Sequence, residues 1–279
     1  MFKKVLLATD FSPPAEQLYE LLEEFKRVGM EEVVLLYVVR LSGVARRFQE
    51  KASEKLMAKK KELEEKGFQV KAYTPIGFPA QEIQKLADKE DVSLILIGSV
   101  GESFLRRIFL GSTASDLIRT SNKPIFLEKY RELEEEGEYQ RIGDNKFEKI
   151  LFPTDFSGPS YRIYEKIKAL KDVTKEVILV HVIDKGVSDE EISKLRKETR
   201  KKLNEMKEEL EEVGIRSEIR IRTGTPSDNI VRIGEEDVVS LIVIPSRGEG
   251  LIKEILLGST AENVARRSKR PVLIFPERI

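Results

Sequence analysis

The chain has 279 residues, enough for two domains of about 140 residues each, and its 49 basic side chains balance 49 acidic ones. A neutral total gives no global field to collect nucleic acid or to hold an anionic membrane, although it leaves room for a local patch. The lack of cysteine removes disulfides, thiolate catalysis and Cys-ligated metal centres, and a single histidine, His181, argues against a histidine-based metal site.

In chain order, the opening MFKKVLLATDFSPP carries only a short apolar run, which Asp10 interrupts before the core of a signal peptide is complete. No stretch approaches the length of a membrane span. The expectation is therefore a soluble, cytoplasmic protein with neither nucleic acid nor membrane as partner. Strands are predicted at 4–9, 33–39, 68–73, 93–98 and 123–128. The runs VVLLYVV and LILIG lack polar alternation, as strands covered on both faces do. Leu18, Leu21, Leu22 and Phe25 recur at helical spacing, and so do Leu56 and Leu63 in the charged segment 44–66, which Gly67 ends.

The second half repeats the first. KKVLLATDFSPP (3–14) returns as EKILFPTDFSGP (148–159), VVLLYVV as VILVHVI, and FLRRIFLGSTASDLIRTSNKPIFL (104–127) as LIKEILLGSTAENVARRSKRPVLI (251–274). Two copies of one domain are expected, 1–130 and 146–279, joined by a charged linker over 131–145. The first part of that linker suits a helix, and its Gly143-Asp144 invites a turn. Ser188 and Glu191 suggest a capping box before a helix over 189–212, closed by Gly214 and carrying Leu203 and Leu210 toward the sheet. Short apolar runs alternating with amphipathic ones specify an α/β fold: two tandem doubly wound domains, each with five parallel strands and right-handed crossovers. Such sheets bind ligands beyond the C-terminal ends of their strands.

Two stretches per repeat fall at that edge. The first strand ends in Thr9-Asp10 and Thr154-Asp155, each followed by Phe-Ser. The aspartates and Ser12 or Ser157 are read either as helix caps or as ligand contacts. After the fourth strand, Gly98 and Gly101 bracket a turn, nine residues follow, and Gly111-Ser112-Thr113 opens another helix. Bare amides and hydroxyls there suit a phosphate, while a glycine turn with a Ser/Thr cap is the plain alternative. Arg106, Arg107 and Lys253 lie before the Gly-Ser elements and are read either as neutralising phosphates or, from their neighbours Leu105 and Leu256, as ordinary members of amphipathic faces. No glycine fingerprint follows the first strand, and no GxxxxGK[ST] loop is present, since Lys123 and Lys269 lie one helix further on.

The pairing of a strand-one Asp-Phe-Ser with a later Gly-x2-Gly-x9-Gly-Ser/Thr segment resembles the universal stress protein family, specifically its ATP-binding branch, here in tandem. The resemblance covers nearly all of both repeats and leaves out the linker. It implies a Rossmann-like sheet of the adenine nucleotide alpha hydrolase kind, with domains paired through their last strands, an intramolecular pairing in a tandem chain. It implies AMP or ATP as ligand, with Mg2+ when ATP is bound, and a homodimer and an unidentified protein as further partners.

Carried onto this sequence, the resemblance assigns the adenine end to Thr9, Asp10, Val38 and Val39, with Gly77 bordering the pocket, and ribose and phosphates to Gly98, Gly101, Gly111, Ser112 and Thr113. The matching positions are Thr154, Asp155, Val182, Gly224, Gly248, Gly258, Ser259 and Thr260. Pro245 stands where Gly98 does and offers no N–H, which marks the second site as the less complete. Arg247 stands where the first repeat has Val100, and is read as facing solvent or as reaching a phosphate. His181 matches Tyr37 and has no Ser and Asp at triad spacing. The expected function is a nucleotide-responsive regulatory or stress-response module with no catalytic residue singled out. A weak ATP-hydrolysing enzyme and a nucleotide-independent interaction protein are the alternatives.

Overall fold

The computed structural model describes residues 1–99, 110–133, 138–183, 189–248 and 257–276. It divides into two compact units, Met1–Arg141 and Ile142–Ile279.

The first unit runs β1 (Lys4–Ala8), α1 (Pro13–Glu16), α2 (Leu18–Arg27), β2 (Glu32–Leu36), β3 (Val39–Arg40), α3 (Ala45–Glu65), β4 (Gln69–Tyr73), β5 (Ile76–Gly77), α4 (Pro79–Lys89), β6 (Leu94–Gly98), α5 (Ser112–Thr120), β7 (Ile125–Glu128), β8 (Tyr130–Glu132) and β9 (Tyr139–Arg141). Its main strands lie in the order β7-β6-β1-β2-β4, all parallel. Consecutive residues of β1, β2 and β6 are buried, so both faces of the sheet are covered. The second unit repeats the plan with β10 (Lys149–Pro153), α6 (Gly158–Lys168), β11 (Glu176–Ile183), α7 (Asp189–Glu212), β12 (Arg216–Thr223), α8 (Pro226–Glu236), β13 (Leu241–Pro245), α9 (Ser259–Arg267) and β14 (Val272–Phe275). Its order is β12-β11-β10-β13-β14.

In each unit the first strand therefore lies between the second and the fourth. The winding reverses there, between β1 and β6 and between β10 and β13, which opens a crevice beyond the strand ends. The long helices end as the sequence signals. Gly67 (φ +82°) and Gly214 (φ +90°) adopt the left-handed conformation, and the amides that follow, Phe68 N to Leu63 O and Ile215 N to Leu210 O, satisfy late helical carbonyls. Ser188 lies outside the described residues.

The segment expected to start as a helix is instead an antiparallel pair, β8 with β9. Its glutamates lie three and four residues apart in sequence, a spacing at which like charges oppose a helix. A side chain completes the strand pairing. The Gln17 amide donates to Tyr139 O at 2.6 Å and accepts from Arg141 N at 2.7 Å, as a neighbouring backbone would. Arg141 then meets Glu20 at 3.1 Å and Glu24 at 3.2 Å, so the hairpin is fastened to α2 of the first unit.

Helix α3 is charged on one side and apolar in a narrow stripe, which yields a direct test. Replacing Leu56, 1% exposed, by Ala is expected to lower the unfolding free energy by about 2–5 kcal/mol in a urea titration. The same change at Met57, 50% exposed, is expected to cost less than about 0.5 kcal/mol. Equal losses would mean that the helix packs by another face.

Candidate functional site

The chain leaves β1 through a tight loop that both units build alike. Thr9 N continues the ladder by donating to Leu36 O at 2.9 Å. Phe11 then takes φ +58°, and Phe156 takes +62°, a region that bulky side chains rarely occupy. Short side chains hold the turn. Phe11 N donates to Thr9 Oγ1 at 3.0 Å, Ser12 N and Ser12 Oγ donate to Asp10 Oδ1 at 3.0 and 2.5 Å, and Ser12 Oγ accepts from Ala15 N at 3.4 Å. In the second unit Phe156 N reaches Thr154 Oγ1 at 3.0 Å, Ser157 N and Ser160 Oγ reach Asp155 Oδ1 at 3.0 and 2.7 Å, and Ser160 N reaches Ser157 Oγ at 3.3 Å. The helix cap is thus the serine, and the aspartate fixes the turn that presents it.

Aromatic stacking supports the unusual backbone. Phe11 lies on Tyr37 with centroids 4.7 Å apart, and Phe156 lies on His181 at 4.9 Å. Lys55 and Lys202 sit over the two phenylalanines at 5.6 and 5.0 Å. His181 Nδ1 lies 2.8 Å from Thr154 O, which sets that nitrogen as the donor. Burial pushes the imidazole below its usual range against the opposing pull of the Thr154 carbonyl and Asp155. The sequence matches His181 to Tyr37 by repeat but does not reveal the stacks, for which the Phe after each Asp was the signal.

At the second-strand end, Val39 is buried with Ala45 and Ala52 of α3, while Val38 is half-buried at the edge, as is Val182 in β11. Gly77 pairs in register with Arg40, and a Cβ there would come within 2.7 Å of Glu82 Cγ, so a neighbour within the chain favours this glycine. Gly224 has φ +125°, which the turn itself requires.

The fourth strand supplies the opposite wall. Gly98 ends β6 in register with Glu128, Ser99 N donates to Glu128 O at 2.9 Å, and Gly111 N returns to Ser99 O at 2.7 Å. Pro245 ends β13 in register with Phe275, Ser246 N donates to Phe275 O at 2.6 Å, and Gly258 N returns to Ser246 O at 2.7 Å. Proline therefore follows the same path as Gly98 and differs by the missing N–H. Gly111 and Gly258 are the N-caps of α5 and α9, and neither end has a side-chain cap. Ser112-Thr113 and Ser259-Thr260 form the first turns, whose leading N–H groups have no intrahelical partner. Gly101, Arg106, Arg107 and Lys253 lie outside the described residues.

The glycines divide by what demands them. A Cβ on Gly248 would stand 2.6 Å from Asp155 Oδ2, so the glycine turn and the strand-one loop of the second unit touch. Gly111 is different. Its backbone is extended (φ −67°, ψ 158°), and among the described residues an added Cβ would meet only Ser99 O, at an ordinary 3.5 Å. Arg247, expected by one reading to face solvent, is 9% exposed. Among the described residues, no group of three His, Asp or Glu is placed to hold a metal ion, and no helix is long and apolar enough to cross a membrane.

A doubled parallel fold with this loop at each switch point is the plan of one protein class. The chain belongs to the universal stress protein family, whose model matches residues 1–127 and again 146–276. It is 38% identical over 152 residues to a universal stress protein of Methanocaldococcus jannaschii, spanning 46% of this chain and 94% of that one. A universal stress protein of Synechocystis matches at 24% identity over 251 residues, 89% of this chain and 80% of that one. The crystal structure of a universal stress protein from Archaeoglobus fulgidus superposes with a TM-score of 0.73 and 29% identity, covering 98% of this chain and 95% of that one.

His181 gives the site a measurable acid limit. Its folded pKa lies below the ordinary 6.5, so on acidification the unfolded chain takes up the proton first. The stabilisation is complete above the unfolded value and is lost as pH falls through the folded one. Comparing the native protein with His181→Tyr, which copies Tyr37, the native chain is expected to lose more stability between about pH 7.5 and pH 5.5. The imidazole resonance of the one histidine reports its midpoint by NMR, and a midpoint at or above the ordinary value would refute the assignment.

Proposed function

We propose that the chain is an adenine-nucleotide-binding regulatory protein, with AMP or ATP in the crevice of the first unit and a second, weaker site in the crevice of the other. The observation that carries this reading is Gly111. Neither its backbone angles nor its neighbours among the described residues call for glycine, and the same residue type recurs at Gly258 at the start of α9. A ligand approaching the backbone explains a bare position that the described residues alone do not. The uncapped first turn behind it suits a phosphate, with the hydroxyls of Ser112 and Thr113 at hand. Asp10 and Val38 would take the adenine end and Gly98 the ribose, with Thr9 holding the turn and Gly77 at the margin. Mg2+ would arrive with ATP, bound to its phosphates.

The weaker second site follows from Pro245, which offers no N–H where Gly98 has one. Thr154, Asp155, Val182, Gly224, Gly248, Ser259 and Thr260 retain its other walls, and Arg247 brings a guanidinium to the glycine turn. Binding rather than catalysis is favoured because Asp10 Oδ1 already accepts two hydrogen bonds from Ser12, which suits a fixed acceptor better than a general base. Regulation then requires unequal affinity of the nucleotide for two states of the protein.

Nucleotide released on denaturation, followed by titration of the stripped protein with AMP and ATP with and without Mg2+, tests the assignment. Gly111→Val is expected to weaken the tighter site by at least about 10-fold, equivalent to about 1.4 kcal/mol, with Gly258→Val affecting only the weaker one. Gly111→Ala is the folding control, expected to shift stability by less than about 1 kcal/mol. Undiminished nucleotide binding by Gly111→Val, or none by the native chain, would overturn the proposal.

A further inference from the structure

Much of the charged surface of the first unit is internally paired. Lys59 bridges Glu16 and Glu62, Lys60 meets Glu64, and Lys71 sits between Glu32 and Glu90. The stretch from Arg40 to Lys51 departs from this pattern. Arg40, Arg46, Arg47 and Lys51 are all exposed, Glu50 is the one acid among them, and none of the four cations meets a carboxylate among the described residues.

Apolar side chains are interleaved with these cations. Leu41 is 69% exposed, Val44 56%, Phe48 58% and Phe78 63%. They form one patch for a topological reason. Arg40 of β3 and Gly77 of β5 are in register, so Leu41 and Phe78 leave adjacent strands side by side. Val44 and Phe48 follow one turn apart at the start of α3, joined by Phe48 N to Val44 O. The inward side of the same turns is already spent on the buried cluster of Val39, Ala45 and Ala52. Gln49 donates to Thr74 O at 2.6 Å and fixes the helix in place.

We infer that this face of the first unit docks reversibly on anionic phospholipid surfaces. Large apolar side chains more than half exposed stand above the surface rather than line a cleft, so they suit a deformable interface better than a shaped protein partner. The cations beside them have long stems that lie along apolar surface while their heads reach lipid phosphates. Two copies of the chain meeting through this patch would oppose like charges. Since the chain as a whole is neutral, the attraction is local and needs both the apolar and the basic members.

The test is flotation of the full-length protein with vesicles of phosphatidylglycerol and phosphatidylcholine, against vesicles of phosphatidylcholine alone. Binding is expected to the anionic vesicles only and to weaken as salt shortens the Debye length. Arg47→Gln and Lys51→Gln are each expected to lower the partition coefficient about fivefold. Val44→Ser with Phe48→Ser is expected to abolish binding while nucleotide content and the urea midpoint stay those of the native chain. Absence of native binding, binding indifferent to these substitutions, or capture only by polyglutamate or a single-stranded oligonucleotide would overturn the inference.

Discussion

The position of the first strand governs this protein. Placed between the second and fourth strands, β1 and β10 force the chain to wind one way for two crossovers and the other way for the next two. Loops on either side of the reversal are drawn apart, and the strand-one loop is left facing the strand-four loop across a gap. Thr9-Asp10 and Gly98-Ser99 owe their opposition to that order, as Thr154-Asp155 and Pro245-Ser246 do. The tight Asp-Phe-Ser turn is a local solution to the same constraint: it returns the chain into a helix at once and leaves the crevice open. Its cost is a phenylalanine in left-handed conformation, offset by stacking on Tyr37 or His181.

Much of this was legible in the residues because it depends on short range. Unbroken runs such as LILIG announce strands buried on both faces, Gly67 and Gly214 announce helix ends, and the repeated TDFS and GST announce the two walls of the crevice. What escaped depends on side chains distant in sequence. Nothing near Gln17 signals that its amide will complete the pairing of β9, more than a hundred residues away. The burial of Arg247 is hidden too, because an arginine in a glycine turn reads from the sequence as a surface residue. Pro245 shows the opposite case, a change of donor without a change of path. A proline looks like a break in the motif, yet at the last position of a strand the next amide, Ser246 N, keeps the register.

The two halves differ most at the points where they most resemble each other. Tyr37 and His181 fill the same stack, but only the imidazole changes charge near neutrality. Ala15 and Ser160 occupy matching positions, and only the second adds a hydroxyl to the aspartate. Duplication has thus kept the strand-one loop and varied the groups packed around it.

Several ion pairs of the first unit are joined into small networks. Glu62 is held by Lys59 and Lys66 while Lys59 also reaches Glu16, and Glu90 accepts from Lys71 and Tyr73 while lying near Lys4. Dehydrating such charges becomes less costly on warming, because their hydration carries a large unfavourable entropy. The surface is therefore of a kind whose contribution to stability is best judged at elevated temperature, where hydrophobic burial no longer gains and a network of this sort does.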